Sequence, residues 1–264
     1  MSDTPACVAP LAEIGVLVTR PVEQAARMMS RLQDLGARPM LFPALTIVPS
    51  GQADVMQEIL SGVEQDDWLV FVSPSSVHFG LDTLRLHAPD LAMTRINAAA
   101  VGKGTAAILR AAGVCNVLTP EHGADSEHLL MLPEFAQLSG RRVLIFRGEG
   151  GRELIADTLR ARGAKVVYVE CYRRACPVAD PAPLRLALAE HRIQAVTVFS
   201  GETLDNLLDL LGPEAAEFAL SLPLFVPHPR IAQRARENAF AQVITTPPGE
   251  DGLLAKLVEY FRHG

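Results

Sequence analysis

Aromatic residues are scarce in this chain: they make up 5% of 264 residues, with Trp68 the single tryptophan. Base-stacking platforms need several rings clustered on one surface, so stacking on single-stranded nucleic acid is not expected and an aliphatic core is. Lysine is nearly missing. Lys103, Lys165 and Lys256 are the only ones among 24 basic residues, and the rest are arginine. The net charge of −6 argues against a general nucleic-acid binder. Cysteine is sparse as well. Cys7, Cys115, Cys171 and Cys176 form no CxxC pair, so they read as free thiols of a reducing compartment. The histidines lack metal-ligand spacing, and no metal site is expected; His122 and His128 are six apart and do not share a helix face. No apolar run approaches the ~18 residues of a membrane span. The opening Met-Ser-Asp-Thr-Pro has no basic region, and the first apolar stretch, Ile14–Val18, is short for a secretion signal. A cytoplasmic chain with no membrane or nucleic-acid partner is expected.

What the chain does have is an ordinary globular composition, 49% hydrophobic and 20% charged, over a length that suits one large or two modest domains. It also has a repeat. Gly15-Val-Leu-Val-Thr-Arg-Pro21 resembles Arg142-Val-Leu-Ile-Phe-Arg-Gly148, 127 residues on. The same offset of 127 carries Leu35-Gly36-Ala37-Arg38 onto Arg162-Gly163-Ala164-Lys165, and Val70–Ser73 onto Thr197–Ser200. With a slip of two, Ala100–Thr105 falls on Phe225–Arg230. Gly36 and Gly163 stand where a helix C-terminus wants a positive φ. Short apolar runs such as Ile14–Val18, Leu69–Val72, Ala98–Val101, Val143–Phe146, Ala195–Phe199 and Leu224–Val226 fit strands buried on both faces. Strands alternating with helices predict parallel α/β sheets, arranged as two similar domains across a cleft. Arg38–Pro49, with three prolines, and Lys165–Pro177 break the pattern and read as linkers between the domains.

In open parallel sheets, ligands bind beyond the carboxyl ends of the strands. Those ends carry Thr19-Arg20, Ser73-Pro-Ser75-Ser76, Gly102-Lys103-Gly-Thr105, Arg147-Gly148, Ser200-Gly201 and Pro227-His228-Pro-Arg230. Each opens a helix, whose free N–H groups favour anions. Arginine forks match carboxylates, so an anionic ligand is expected. Serine and threonine here also serve simply as N-caps. Two nucleotide motifs fail. Gly102-Lys103 lacks the P-loop glycine at Asn97 and has Gly104 where serine or threonine must follow. Gly148-Glu-Gly150-Gly151 has Glu153 at the third glycine position of a dinucleotide fingerprint. No nucleophile, base and orienter set stands out. Cys171 reads as a buried thiol. Tyr172, in the second linker, reads either as a proton donor or as a packed ring.

Val-Leu-Val-Thr19-Arg20-Pro21, Phe71-Val-Ser73-Pro-Ser-Ser-Val77, Ala100-Val101-Gly102-Lys-Gly-Thr105, Arg147-Gly148, Tyr172-Arg173, Phe199-Ser200-Gly201 and Val226-Pro-His-Pro-Arg230, in this order and spacing, resemble the uroporphyrinogen-III synthase family. The resemblance implies two flavodoxin-like domains joined by a two-stranded linker, with the active site in the interdomain cleft. Domain one would comprise 1–40 plus 174–264, domain two 44–170, and the crossovers 41–43 and 171–173. It implies a cofactor-free lyase that cyclises hydroxymethylbilane, with loss of water and inversion of the last pyrrole. Tyr172 would be the catalytic proton donor. Thr19, Arg20, Ser73, Ser75, Ser76, Gly102, Lys103, Thr105, Arg147, Gly148, Ser200, Gly201, Pro227, His228 and Arg230 would bind the substrate. A monomer is expected, with room for transient contact with hydroxymethylbilane synthase. The opposing readings are a non-catalytic two-domain binder of an anionic metabolite and a nucleotide-binding oxidoreductase.

Overall fold

The computed structural model describes residues 9–123 and 125–263. The chain opens with β1 (Gly15–Val18), α1 (Val22–Asp34) and β2 (Arg38–Leu41). Next come β3 (Thr46–Pro49), α2 (Ala53–Leu60), β4 (Trp68–Phe71), α3 (Pro74–His87), β5 (Asn97–Ala100), α4 (Lys103–Ala111), β6 (Asn116–Leu118) and α5 (Ser126–Leu130). The opening motif then recurs as β7 (Arg142–Gly148), α6 (Leu154–Ala161) and β8 (Lys165–Ala175). Finally come α7 (Ala182–Ala189), β9 (Ala195–Thr197), α8 (Gly201–Ser221), β10 (Pro223–Val226), α9 (Pro229–Glu237), β11 (Gln242–Thr245) and α10 (Gly249–His263).

The protein is α/β, with mostly parallel sheets in two compact units. One unit holds the described residues through Thr46 together with those from Ala175 onward; the other is Ile47–Arg174. The first has the sheet β11-β10-β9-β1-β2, parallel at every pair. The second has β3-β8-β7-β4-β5-β6, parallel from β8 to β6. Numbered from its repeated strand-helix-strand motif, each sheet has its five common strands in the order 2-1-3-4-5. The sequence repeat is therefore a repeat of structure, but each sheet takes its first two strands from one half of the chain and the other three from the other half. Arg38–Leu41, read from sequence as the start of a linker, is instead the edge strand β2 beside β1. Its Pro39 is tolerated because an edge strand need not donate on its outer side. Lys165–Ala175 is likewise a continuous strand of 11 residues, most of it paired with β7.

The apolar runs are continuous because both faces of each sheet are covered. Side chains alternate across a strand. Leu17 packs among residues of α7, α8 and α9, while Val16 and Val18 pack against α1 and α10. In the other unit Leu69, Phe71, Leu144 and Phe146 face α2, α3 and α4, and Val70, Val143 and Ile145 face α5 and α6. Gly36 and Gly163 sit just past α1 and α6 at φ +86° and +85°, the left-handed conformation that closes a helix. Among the described residues, no helix is long and apolar enough to cross a membrane.

Candidate functional site

In the unit Ile47–Arg174, β4 and β7 run side by side with Phe71 opposite Phe146. Their rings stack at 4.6 Å. Gly80 lets α3 lie directly on this pair, since a Cβ there would come within 2.7 Å of Phe146 Cδ1. The carboxyl ends of both strands are thus fixed by packing. Beyond β4, Ser73 caps α3: its hydroxyl accepts from Ser76 N–H at 3.1 Å, and Ser76 Oγ accepts from Ser73 N–H at 3.0 Å. Ser76 is fully buried, and Ser75 is half-buried. Beyond β5, Gly102 caps α4 through its backbone alone at φ −144°, an extended conformation open to any residue. Lys103 is exposed and Thr105 buried. The Ser73 and Ser76 hydroxyls are thus the cap of α3, satisfying N–H groups that would otherwise be free.

A cavity of about 280 Å³ opens where β4, β7 and β8 end, lined by Val72, Ser126, Arg147, the loop Gly148–Arg152, Tyr168, Tyr172 and Arg174. Arg147 is only 5% exposed. Its Nε donates to Gly150 O at 2.9 Å and its Nη1 to Glu153 Oε1 at 3.1 Å. The Tyr168 ring lies 4.6 Å from the guanidinium carbon. Nη2 is buried with no partner. Glu153 also accepts from the Tyr168 hydroxyl. That bond, and then Arg147, holds the Glu153 carboxyl below the usual carboxylate range. Burial first, and Glu153 second, push the Tyr168 phenol up. Much of Arg147 is therefore turned back onto its own loop.

Tyr172 lies over the backbone of Gly148, where a Cβ would come within 2.5 Å of Tyr172 Cε2. Its hydroxyl is 3.1 Å from Ser73 Oγ, and its ring is 5.7 Å from that of Phe79. The ring is packed, and the hydroxyl reaches a polar neighbour at a strand end. A register shift directs it there. Arg147 pairs with Glu170 and Gly148 with Tyr172, so Cys171 is skipped, as in a β-bulge that re-aims a side chain. Cys171 itself is buried, and burial pushes its thiol up to about 12, so it stays a neutral, unreactive thiol.

In the other unit the strand ends are more occupied. Thr19 is fully buried, and its hydroxyl donates to Thr197 O at 2.8 Å. Its side chain ties β1 to β9. Arg20 lies 4.6 Å over the Phe199 ring and pairs with Glu250 at 3.2 Å. Glu250 is shared with Arg27 and Arg31. Ser200 caps α8 by accepting from Thr203 N–H at 3.1 Å, with Gly201 behind it against Arg234. His228 caps α9, its Nδ1 accepting from Arg230 N–H at 3.1 Å; Arg230 is exposed and Pro227 half-buried. Of the residues singled out in the sequence, the structure brings Arg147, Gly148 and Tyr172 together around one cavity, with Ser73 hydrogen-bonded at its edge. Arg152, Glu153, Tyr168 and Arg174 belong to the same surroundings and were missed. Tyr168 was discoverable: reading Lys165–Ala175 as a strand puts it and Glu170 on one face.

Among the described residues there is no group of three or more His, Cys, Asp or Glu side chains that could hold a metal ion. The family model described as Uroporphyrinogen-III synthase HemD matches residues 26–255. The chain is 34% identical to the uroporphyrinogen-III synthase of Escherichia coli and 30% identical to that of Salmonella typhimurium, covering 92% of this chain and 100% of each relative. In fold it is similar to the uroporphyrinogen-III synthetase of Helicobacter pylori, with TM-score 0.56 and 10% identity over 94% of this chain and 99% of that one. It is also similar to a mutant uroporphyrinogen III synthase of Thermus thermophilus, with TM-score 0.51 and 18% identity over 95% of this chain and 100% of that one. A match over so much of the sequence, on a fold whose strand ends hold a cavity lined by arginines, means that the chain belongs to the uroporphyrinogen-III synthase family.

Proposed function

We propose that this protein is a hydro-lyase that converts hydroxymethylbilane, a linear tetrapyrrole with eight carboxylates, into uroporphyrinogen III. The family match across residues 26–255 carries this reading. The chemistry of the strand ends supports it. The hydroxyl of the hydroxymethyl group on the first pyrrole leaves as water once protonated, giving an azafulvenium cation. The substituted α-carbon of the last pyrrole attacks that cation to form a spiro intermediate. The original bond from that carbon to its methylene bridge breaks, the bridge rejoins at the other α-carbon, and loss of a proton leaves the ring closed with the last pyrrole inverted. A substrate this reactive needs orientation more than activation. Helix N-termini and arginines at the ends of parallel strands suit a polycarboxylate. Tyr172 is the proton donor in this reading: its hydroxyl lies at the cavity and is hydrogen-bonded to Ser73 at 3.1 Å, which gives the proton a route of resupply.

The binding residues in this reading are those at the strand ends of each unit: Ser73, Ser75, Ser76, Gly102, Lys103, Thr105, Arg147 and Gly148 in one, and Thr19, Arg20, Ser200, Gly201, Pro227, His228 and Arg230 in the other. Thr19, Ser76 and Thr105 would act through backbone groups, because their side chains are buried. The strand order 2-1-3-4-5 supports a flavodoxin-like reading of both units, joined by two short crossovers. We read the enzyme as a cytoplasmic monomer that needs no cofactor, with room for transient contact with hydroxymethylbilane synthase. The test is an assay of the purified protein with hydroxymethylbilane, separating type III from type I product by chromatography. Type III product is expected. Type I alone, at the rate seen without protein, would overturn the reading.

A further inference from the structure

We propose that the cavity where β4, β7 and β8 end is a pocket for one carboxylate arm of the substrate, seated against Nη2 of Arg147. This rests on the activity proposed above and adds where one part of the substrate goes. Three sides of the Arg147 guanidinium are committed: Nε to Gly150 O, Nη1 to Glu153, and one face to the Tyr168 ring. Nη2 alone is buried without an acceptor. A buried charged donor left unpaired is costly, and a carboxylate is the acceptor whose geometry fits the guanidinium edge. The space beside Nη2 is kept by Gly151, where a Cβ would stand 2.8 Å from that nitrogen. Gly150 and Gly151 are exposed and carry no side chains, so a small shift of this turn uncovers the nitrogen. Arg152 and Arg174 line the same cavity with Glu149, while Glu153 and Glu170 stand on the other sides of Arg147 and leave its Nη2 edge free of acids. At about 280 Å³ it suits a single side arm and not a tetrapyrrole.

The experiment uses hydroxymethylbilane and eight analogues, each lacking one carboxylate, with the wild-type protein and Arg147→Lys. One analogue is expected to show a KM raised roughly 10- to 100-fold on the wild type, the worth of one hydrogen bond between charged groups. Arg147→Lys should raise KM for the full substrate by a similar factor. That variant with that analogue should lose little more than either change alone, as coupled partners do. Arg147 also ties its loop, so Gly151→Ala provides a second probe that leaves the arginine in place and puts a methyl beside Nη2. It should show the same selective loss. Gly140→Ala, at φ +75° against +115° for Gly151 and with nothing within 4 Å of the new methyl, places a methyl on a positive-φ backbone away from the cavity and should keep the wild-type KM. If all eight carboxylate deletions add fully to Arg147→Lys, the pocket is overturned while the activity stands. Equal losses in Gly151→Ala and Gly140→Ala would also overturn it. A wild-type protein that makes no type III product removes both proposals.

Discussion

At the scale of the residue, the site rests on two side chains held by their neighbours: Arg147 by Gly150 O and Glu153, and Tyr172 by Ser73. Arg147 was legible as a cation at a strand end. That most of its guanidinium would turn back onto Gly150 and Glu153 was not, because a side chain's direction depends on the loop folded around it. Thr19 is the same case: its position suggested a ligand contact, and its hydroxyl went to the carbonyl of Thr197, 178 residues away. Tyr172 was legible as a candidate from its place in the second linker segment, and the register shift that aims it has no sequence signature of its own. The hydroxyl is what Tyr172→Phe removes. Its ring contacts with Gly148 and Phe79 remain, so melting temperature should shift by only a few degrees. Turnover should fall about 10²-fold or less, since water can replace one acid for a reactive substrate, while KM changes little. Steady-state kinetics with a no-protein blank checks this. Unchanged turnover would return Tyr172 to a packing role.

Among the elements, the buried strands were legible and the edges were not. Val143–Phe146 and Leu69–Phe71 are apolar throughout because helices cover both faces, and that pattern survives any detail of packing. β2 has one open side, partly exposed residues and a proline, so it resembled a linker. The cap at Gly102 makes a prediction about helix and ligand together. Its extended φ accepts any residue, and aspartate at an N-cap stabilises a helix by accepting free N–H bonds. Gly102→Asp should therefore match or slightly exceed the wild type in thermal stability. The added carboxylate would repel an anionic substrate at about 1 kcal/mol or more, raising KM at least roughly fivefold and letting type I product accumulate by spontaneous closure. A product ratio and KM like those of the wild type would place this strand end outside the binding surface.

For the whole molecule, the repeat was legible and its regrouping was not a matter of periodicity. Both halves have the same pattern, and nothing in hydrophobic spacing says which half supplies the first two strands of a sheet. Contacts decide it: β1 pairs with β9, and β7 pairs with β4. Ile47–Arg174 holds a whole sheet with both of its covered faces. Expressed alone, this segment should unfold cooperatively in urea with a helical circular-dichroism signal. A segment ending near residue 140, where the repeat divides, lacks β7 and β8 and should not. Equal behaviour of the two would mean that the sheet does not depend on its central strand. The same regrouping sets a timetable for synthesis. Val18 finds its partner Thr197 only 179 residues later. At about 5–20 residues per second, the ribosome takes roughly 10–35 seconds to deliver it. Throughout that interval β1, destined for the middle of a sheet, has one unpaired edge exposed to every other nascent chain nearby. The vulnerable interval of this protein's synthesis thus falls on its first strand.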